Sequence, residues 1–332
     1  MTRMRKILVV ALILLFAFSA ATSLFARGRD DGRYSMIAVP KLQSAWFDAF
    51  EAGLIRAGRD FDVNVTQLNP PTADEAIQVR FVRDAIAQGA NALLVVPNDA
   101  NSLIPVFRDA RARGIAVLTH ESPDQPDADF NVEMIMNDVF GWHHIRQLVE
   151  RIGPTGEFAI YVGSLTVPAH NIWADAAEDY ARRNFPGLRL VAPRFPVAED
   201  RELSRQTALD IIRTYPNIRG FLTFGSQGAP GVSLALRELG RQNDIVIIGG
   251  GTPNEARPFV MDGSWDVVLL WNSGDAAYAM TYVAKYILEG RRAEIRPGFT
   301  VPGLGAPTFD GMNLLWDNPL ILTRDNIGNY NF

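Results

Sequence analysis

Three residues early in the chain have side chains suited to binding a small polar molecule. Lys41 directly follows the short apolar run 35–40, and Trp46 and Phe47 come shortly after it. An ammonium group donates up to three hydrogen bonds and can serve several hydroxyl groups at once. An aromatic face packs against C–H groups, and an indole adds an N–H donor. Because Phe47 also fits the buried stripe of the next helix, Trp46 is the better candidate for stacking on a ligand. Lys41 could instead be a solvated surface lysine.

Two polar residues, His120 and Glu121, directly follow the apolar run 115–119. The carboxylate of Glu121 can accept hydrogen bonds from a polar ligand. The alternative is that 122–129, with its two prolines, is only a polar turn. The two groups of residues therefore predict a site for a small polar molecule, provided that the fold brings them together.

Short apolar runs alternate with amphipathic helical stretches after residue 34. The apolar runs predict strands at 35–40, 63–68, 91–96, 115–119, 157–162, 188–195, 220–224, 244–248 and 265–270. Helical spacing predicts helices at 44–58, 72–88, 102–114, 139–152, 169–184, 202–215, 232–241, 255–261 and 275–290. A capping box of Thr72 and Glu75 would open the second helix. Nearly continuous apolar strands separated by helices are typical of parallel sheets buried on both faces. Two such series predict an α/β protein with two doubly wound parallel-sheet lobes.

The loops that follow the predicted strands are the candidate sites, because ligands of such sheets bind beyond the carboxyl ends of the strands. These loops are 41–46, 97–101, 120–124, 163–171, 225–232 and 249–254. In the second loop, Asn98 and Asp99 either contact the ligand or cap helix 102–114. The glycine run 249–251 lacks the spacings of phosphate-binding loops, so we expect it to form a tight strand-to-helix turn.

The first 26 residues have the pattern of a secretory signal peptide. Arg3, Arg5 and Lys6 precede an apolar run, which is followed by small residues. An uncleaved membrane anchor is the alternative, because the apolar stretch is nearly long enough to span a bilayer. We expect 1–26 to be a signal peptide that is cleaved after Ala21 or Ala26, and a periplasmic location for the rest of the chain.

Composition argues against several classes of protein. Removal of the signal peptide, with its three positive charges, changes the formal net charge from -5 to about -8. A negative net charge gives the protein no electrostatic reason to bind nucleic acid or an anionic membrane. The chain has no cysteine, which excludes disulfides, thiolate metal sites and cysteine nucleophiles. The spacing of the 4 histidines and the lack of a nucleophile–base motif predict no metal, no cofactor and no enzymatic activity. A hydrolase with a carboxylate pair remains the alternative.

Several segments carry a family resemblance. LLVVPNDANSLIPVFRDARARGIAVLTHES at 93–122 forms a strand, a polar turn, an Ala-containing helix and a second strand. Further segments are VPKLQSAWFDAF at 39–50, TVPAHNIW at 166–173, GTPNEARPFVMDGSW at 251–265 and DNIGNYNF at 325–332. Together they resemble the periplasmic sugar-binding proteins of ABC importers, of the ribose- and galactose-binding type. The last four are similar to the subgroup of autoinducer-2 and rhamnose receptors.

The resemblance implies the type I periplasmic binding protein fold, in which a three-crossing hinge joins two lobes. It implies an N-terminal lobe at 34–135 plus 275–305. The C-terminal lobe would be 136–273 plus 307–332. The segment 296–307, rich in Pro and Gly, is expected to be one of the crossings.

The resemblance also implies ligand contacts from both lobes. Lys41 and Glu121 match positions where the family uses a lysine and an acidic residue. The other candidate contacts are Trp46, Phe47, Asn98, His120, His170, Asn171, Gln227, Pro230, Val232, Thr252 and Asn272. Ala169 and His170 stand where the autoinducer-2 receptor has an Asp–Gln pair. Losing that carboxylate acceptor leaves ligand hydroxyls unpaired, which argues against autoinducer-2 as the ligand.

The implied function is capture of a monosaccharide or similar polyol and its delivery to an ABC permease in the inner membrane. We expect a monomer that uses no cofactor and binds no nucleic acid. A sensory subunit that docks on a membrane sensor is the alternative. Related repressors carry an amino-terminal helix-turn-helix where this chain has an export signal, so a repressor is excluded.

Overall fold

The computed structural model describes residues 32–332, and the predicted signal peptide at 1–26 lies outside them. The strands are β1 Ser35–Val39, β2 Asn64–Gln67, β3 Ala92–Val95, β4 Ala116–His120, β5 Phe130–Glu133, β6 Thr155–Val162, β7 Gly187–Leu190, β8 Phe195–Pro196, β9 Ile218–Phe224, β10 Val246–Gly249, β11 Val267–Leu270, β12 Thr308–Asp310, β13 Asn313–Leu315 and β14 Leu320–Leu322. The helices are α1 Ala45–Phe61, α2 Glu75–Ala87, α3 Ala100–Ala112, α4 Asn137–Ile152, α5 Pro168–Asn184, α6 Arg201–Thr214, α7 Gly228–Leu239, α8 Pro253–Asp262 and α9 Ser273–Leu288.

The strands form two sheets, one in each lobe. The first has the order β12-β13-β5-β4-β3-β1-β2, and the second has the order β14-β11-β10-β9-β6-β7, with β8 also paired to β6. All pairs are parallel except β12 with β13 and β11 with β14. Every residue of β3, β4 and β11 is buried, as strands covered by helices on both faces must be. The predicted fold class is therefore confirmed.

Helix α9 returns to the first lobe and packs closely against α1. A Cβ added at Gly53 would lie 2.1 Å from the carbonyl oxygen of Gly274. Only glycine allows the two backbones to approach this closely. Phe47, Phe50 and Leu54 line the buried side of α1, so the sequence pattern and the packing agree.

Two local predictions were wrong. Helix α2 begins at Glu75, and the side chain of Asp74 caps it by accepting from the Ile77 N–H at 2.8 Å, so the predicted box with Thr72 does not form. The predicted strand 188–195 is two strands, β7 and β8, because residues 191–194 leave the sheet. Strand β5 and the last three strands were not predicted, because β5, β12 and β13 contain polar residues and β14 has only three residues.

Three segments cross between the lobes, at 134–136, 271–272 and 316–319. Strands β12 and β13 belong to the first sheet, where β13 pairs with β5. The prediction that 307–332 packs entirely on the C-terminal lobe was therefore wrong, and so was the crossing at 296–307. The first and third crossings run side by side, since Trp316 N–H donates to the Glu133 carbonyl at 2.7 Å. Within residues 32–332, no helix has the length and apolar character needed to cross a membrane.

Candidate ligand-binding site

The carboxyl ends of strands from both sheets face a common cleft. The first lobe contributes Lys41 after β1, Trp46 and Phe47 in the first turn of α1, and Glu121 after β4. The second lobe and the crossing contribute Phe140, His170, Trp173, Glu199, Phe224, Ser226, Leu269 and Trp271, together with glycines 225, 250 and 251. The space left between them is about 30 Å³, which is room for roughly two water molecules. A molecule as large as a sugar therefore needs the lobes to separate before it enters.

Lys41 is the centre of a buried ionic cluster. Its Nζ lies 2.7 Å from Glu121 Oε2 and 3.1 Å from Glu199 Oε1. His170 Nε2 is 2.9 Å from the same ammonium. The side chains of Lys41, Glu121 and Glu199 are each at most 4 % exposed. Glu121 belongs to the first lobe and Glu199 and His170 to the second, so the ammonium joins the lobes across the cleft.

Opposite charges outweigh burial in setting the protonation of this cluster. Burial alone would raise the pKa of Glu121, but the Lys41 ammonium and a hydrogen bond with His170 hold that pKa well below its usual range. Burial would lower the pKa of Lys41, but the carboxylates of Glu121 and Glu199 raise it above its usual value. Lys41 and Glu121 are thus ionised at neutral pH, and the cluster offers both an ammonium donor and a carboxylate acceptor.

His170 is a neutral ring in this cluster. Burial and the neighbouring Lys41 ammonium lower its pKa. Its Nδ1 accepts from the Gly163 N–H at 3.0 Å, which leaves the ring proton on Nε2. Nε2 faces Glu121 and Glu199 at 3.6 and 3.8 Å. The Nε2–H group is directed toward these carboxylates, and it makes no hydrogen bond with the Lys41 ammonium 2.9 Å away, because both groups are donors.

Glu121 has a strained backbone. Its φ of 58° lies in the left-handed region, which is uncommon for residues other than glycine. Strain of this kind persists where the surrounding structure enforces it, commonly at functional sites. The carbonyl of Glu121 accepts from the Ala169 N–H at 3.2 Å, and this bond also links the two lobes.

An aromatic cluster forms another part of the lining. The ring of Trp271 lies 5.1 Å from Trp46, 5.4 Å from Trp173 and 5.5 Å from Phe140, each near edge-on. Trp173 continues the cluster to Phe224 at 6.1 Å and stacks on the His170 ring at 5.3 Å. Aromatic faces of this kind pack well against the C–H faces of a ligand.

His120 lies behind the lining. Its Nδ1 donates to the Val132 carbonyl at 2.6 Å, and its Nε2 accepts from the indole N–H of Trp271 at 3.2 Å. Both ring nitrogens are thus engaged within the protein. The structure places His120 as a support for Trp271 and does not place it at the cavity.

Three further candidates are also engaged elsewhere. Asn98 donates to the carbonyl of Lys41 at 3.1 Å, so it holds the Lys41 backbone, and Asp99 caps α3. Asn171 donates to the carbonyls of residues 164 and 167, in the loop that precedes its helix. Gln227 accepts from Arg201 at 3.1 Å at the start of α7.

The remaining four candidates have structural positions. Pro230 and Val232 are buried within α7 and do not line the cavity. Thr252 caps α8 by accepting from the Glu255 N–H at 3.3 Å, and Asn272 caps α9 by accepting from the Gly274 N–H at 3.0 Å. Of the predicted residues, the structure brings together Lys41, Trp46, Phe47, Glu121 and His170.

The sequence does not predict Glu199, the carboxylate that the second lobe places in the cleft. Glu199 comes three residues after the two-residue strand β8, whereas the sequence predicts a single strand at 188–195. Trp271 follows the correctly predicted strand that ends at Leu270, so the rule used for the other loops would have found it. In the described part of the chain, no group of three or more His, Asp or Glu residues is arranged to hold a metal ion.

The fold and this cleft define a two-lobed solute-binding protein. The chain matches the family described as periplasmic binding protein domain over residues 36–292, and it belongs to that family. This confirms the resemblance inferred from the sequence segments.

Individual relatives are distant. A xylitol-binding protein of Mycolicibacterium smegmatis is 24% identical over 249 residues, which are 73% of this chain and 69% of the relative. LsrB from Clostridium saccharobutylicum, solved in complex with AI-2, has a TM-score of 0.83 at 22% identity, covering 90% of this chain and 100% of LsrB. A solute-binding protein of an ABC transporter from Clostridium phytofermentas, with bound L-rhamnose, has a TM-score of 0.81 at 18% identity, covering 90% and 98%. At these identities, the likeness to the solved structures shows the fold.

Proposed function

We propose that this protein captures a monosaccharide or similar polyol between its two lobes and delivers it to an ABC permease in the membrane. The observation that carries the proposal is the buried cluster of Lys41, Glu121 and Glu199, which draws its charges from both lobes. An ammonium and two carboxylates provide the donors and acceptors that hydroxyl groups need. The relatives named above, which bind xylitol and L-rhamnose, support the same ligand class.

Binding would act by stabilising a ligand-bound closed form, with the lobes farther apart than in this structure, where the space between them is too small for a sugar. In that form Lys41 and Glu121 from one lobe and Glu199 from the other face the same space, whereas in an open form the ligand meets only one lobe. A ligand that contacts both lobes shifts the equilibrium by its differential affinity for the closed form. The ligand hydroxyls would then replace the direct contacts between Lys41 and Glu199. A periplasmic location and a non-enzymatic role belong to the same proposal.

A ligand screen with a matched pair of variants tests the proposal. Sugars and polyols are added to the protein, each binder is found by its increase in melting temperature, and its Kd is measured by calorimetry. Glu121→Gln removes a buried acceptor charge and should weaken binding at least about tenfold, since hydrogen bonds to charged groups contribute about 1.5–3 kcal/mol. Glu150→Gln is the control, because the Glu150 side chain is 63 % exposed.

The outcomes separate clearly. A sugar or polyol that binds the wild type and Glu150→Gln equally, but binds Glu121→Gln weakly, supports the proposal. If no sugar or polyol raises the melting temperature, or if Glu121→Gln binds as the wild type does, the proposal is wrong. Loss of uptake of the identified ligand in a strain that lacks the gene would support the delivery step.

A further inference from the structure

The polar groups of the cleft are gathered at one place. Glu121, Glu199 and His170 all lie within 3.1 Å of the Lys41 ammonium. Ser226 extends this group, since its hydroxyl donates to Glu199 Oε2 at 3.4 Å. A ligand can therefore exchange hydrogen bonds with charged side chains along one edge only.

Two of the three tryptophans that line the cavity, Trp173 and Trp271, have no donor to offer a ligand. The indole N–H of Trp173 donates to Asn137 Oδ1 at 2.5 Å. The indole N–H of Trp271 donates to His120 Nε2 at 3.2 Å. An indole has a single N–H and no acceptor, so both side chains present only apolar surface to the cleft.

The neighbours of these tryptophans continue the same apolar surface. Phe140 lies 5.1 Å from Trp173 and 5.5 Å from Trp271, and Phe224 lies 6.1 Å from Trp173. Leu269 also lines the cavity. None of these three side chains has a hydrogen-bonding atom. We call Phe140, Trp173, Phe224, Leu269 and Trp271 the apolar wall.

We propose that the ligand is a polyol with hydroxyl groups along one edge and an apolar end, such as a terminally deoxygenated sugar. This inference rests on the proposed function and narrows its ligand class. The hydroxylated edge would bind the cluster around Lys41, and the methyl end would bind the apolar wall. A hydroxyl group turned toward the wall would lose its hydrogen bonds to water without replacement, which disfavours fully hydroxylated sugars.

Matched pairs of sugars test this inference on the wild-type protein. The pairs are L-rhamnose with L-mannose, L-fucose with L-galactose, and 5-deoxy-D-ribose with D-ribose, and each Kd is measured by calorimetry. A hydrophobic pocket rejects a close analogue that adds one hydroxyl by up to about a hundredfold. We expect the deoxy member of the binding pair to bind roughly tenfold to a hundredfold tighter.

Phe140→Tyr adds a hydroxyl group to the apolar wall and should reduce this ratio. Phe81→Tyr in α2, outside the cavity lining, is the control and should leave the ratio unchanged. Circular dichroism and the melting temperature show whether each variant is folded, and the comparison of ligands on the wild type does not depend on either variant.

The results distinguish this inference from the proposed function. If hydroxylated members bind as tightly as their deoxy partners, or tighter, the inference is wrong and the proposed function stands. If neither these pairs nor any other sugar or polyol binds, the proposed function itself is wrong. An unchanged ratio in folded Phe140→Tyr contradicts the role assigned to the apolar wall.

Discussion

Replacing Lys41 by methionine should destabilise the protein and do so in a pH-dependent way. The substitution keeps an unbranched side chain but leaves the buried carboxylates of Glu121 and Glu199 without the ammonium between them. Removing one partner of a buried ion pair costs about 3–5 kcal/mol. Because the cleft can open and hydrate the two carboxylates, we expect the lower end of this range, about 3 kcal/mol. In a chain of this size that corresponds to a decrease in melting temperature of roughly 5 °C.

The pH dependence identifies the cause. In the wild type, the pKa of Glu121 is depressed on folding, so its stabilising contribution is present above the unfolded value and is lost only as pH falls through the folded pKa. Without Lys41, burial and the nearby Glu199 carboxylate would raise the folded pKa of Glu121. The folded variant would then bind more protons than the unfolded chain, and its deficit relative to wild type should shrink between pH 7 and pH 5.

Thermal unfolding followed by circular dichroism at both pH values measures the effect. Lys285→Met is the matched control, because Lys285 pairs with Glu289 on the partly exposed surface of α9 and such pairs contribute about 0–1 kcal/mol. The reasoning fails if Lys41→Met melts as Lys285→Met does at pH 7. It also fails if the deficit is the same at pH 5.

Two further predictions concern Glu133 and the cap of α2. Burial raises the pKa of Glu133 to about 8, so folding favours its protonated form, and its contribution to stability decreases as pH rises from about 4.5 to about 8. Between pH 5 and pH 8, the free energy of unfolding should therefore decrease less in Glu133→Gln than in the wild type, by up to about 1.4 kcal/mol per pH unit. Parallel plots of the free energy of unfolding against pH for the two proteins would contradict this. Asp74→Ala should lower the free energy of unfolding by about 1 kcal/mol in urea titrations, whereas Thr72→Ala should have no effect. Equal losses in the two variants would show that the cap is assigned wrongly.

Much of the fold follows from the sequence because long apolar runs and helical spacing are local signals. Predicted strand 91–96 and helix 275–290, for example, match β3 and α9 within two residues at each end. The short strands β5, β12 and β13 have no such signal, since each contains polar residues that interrupt the apolar run. The pairing of β13 with β5, across more than 170 residues of chain, is decided by tertiary packing. This is why the third crossing could not be placed from the sequence.

The candidate site was predictable where a residue follows a strand directly. Lys41 and Glu121 do so, and their meeting follows from the shared sheet edge. His170 was found through the family resemblance. Thr252 and Asn272 have the same residue types as ligand contacts, but a hydrogen bond to a helix amide uses the oxygen of each. Side-chain type alone does not distinguish a cap from a ligand contact. Glu199 was missed because the strand before it has only two residues.

The central claim is that ligand is held between the lobes by the cluster around Lys41. A crystal structure of the complex with the tightest binder from the screen tests this most directly. The account predicts that the ligand lies in the cleft, with hydroxyl groups within hydrogen-bonding distance of Lys41 Nζ and of the carboxylates of Glu121 and Glu199. A ligand bound on an outer face of either lobe, with the ion pairs around Lys41 intact, would contradict it.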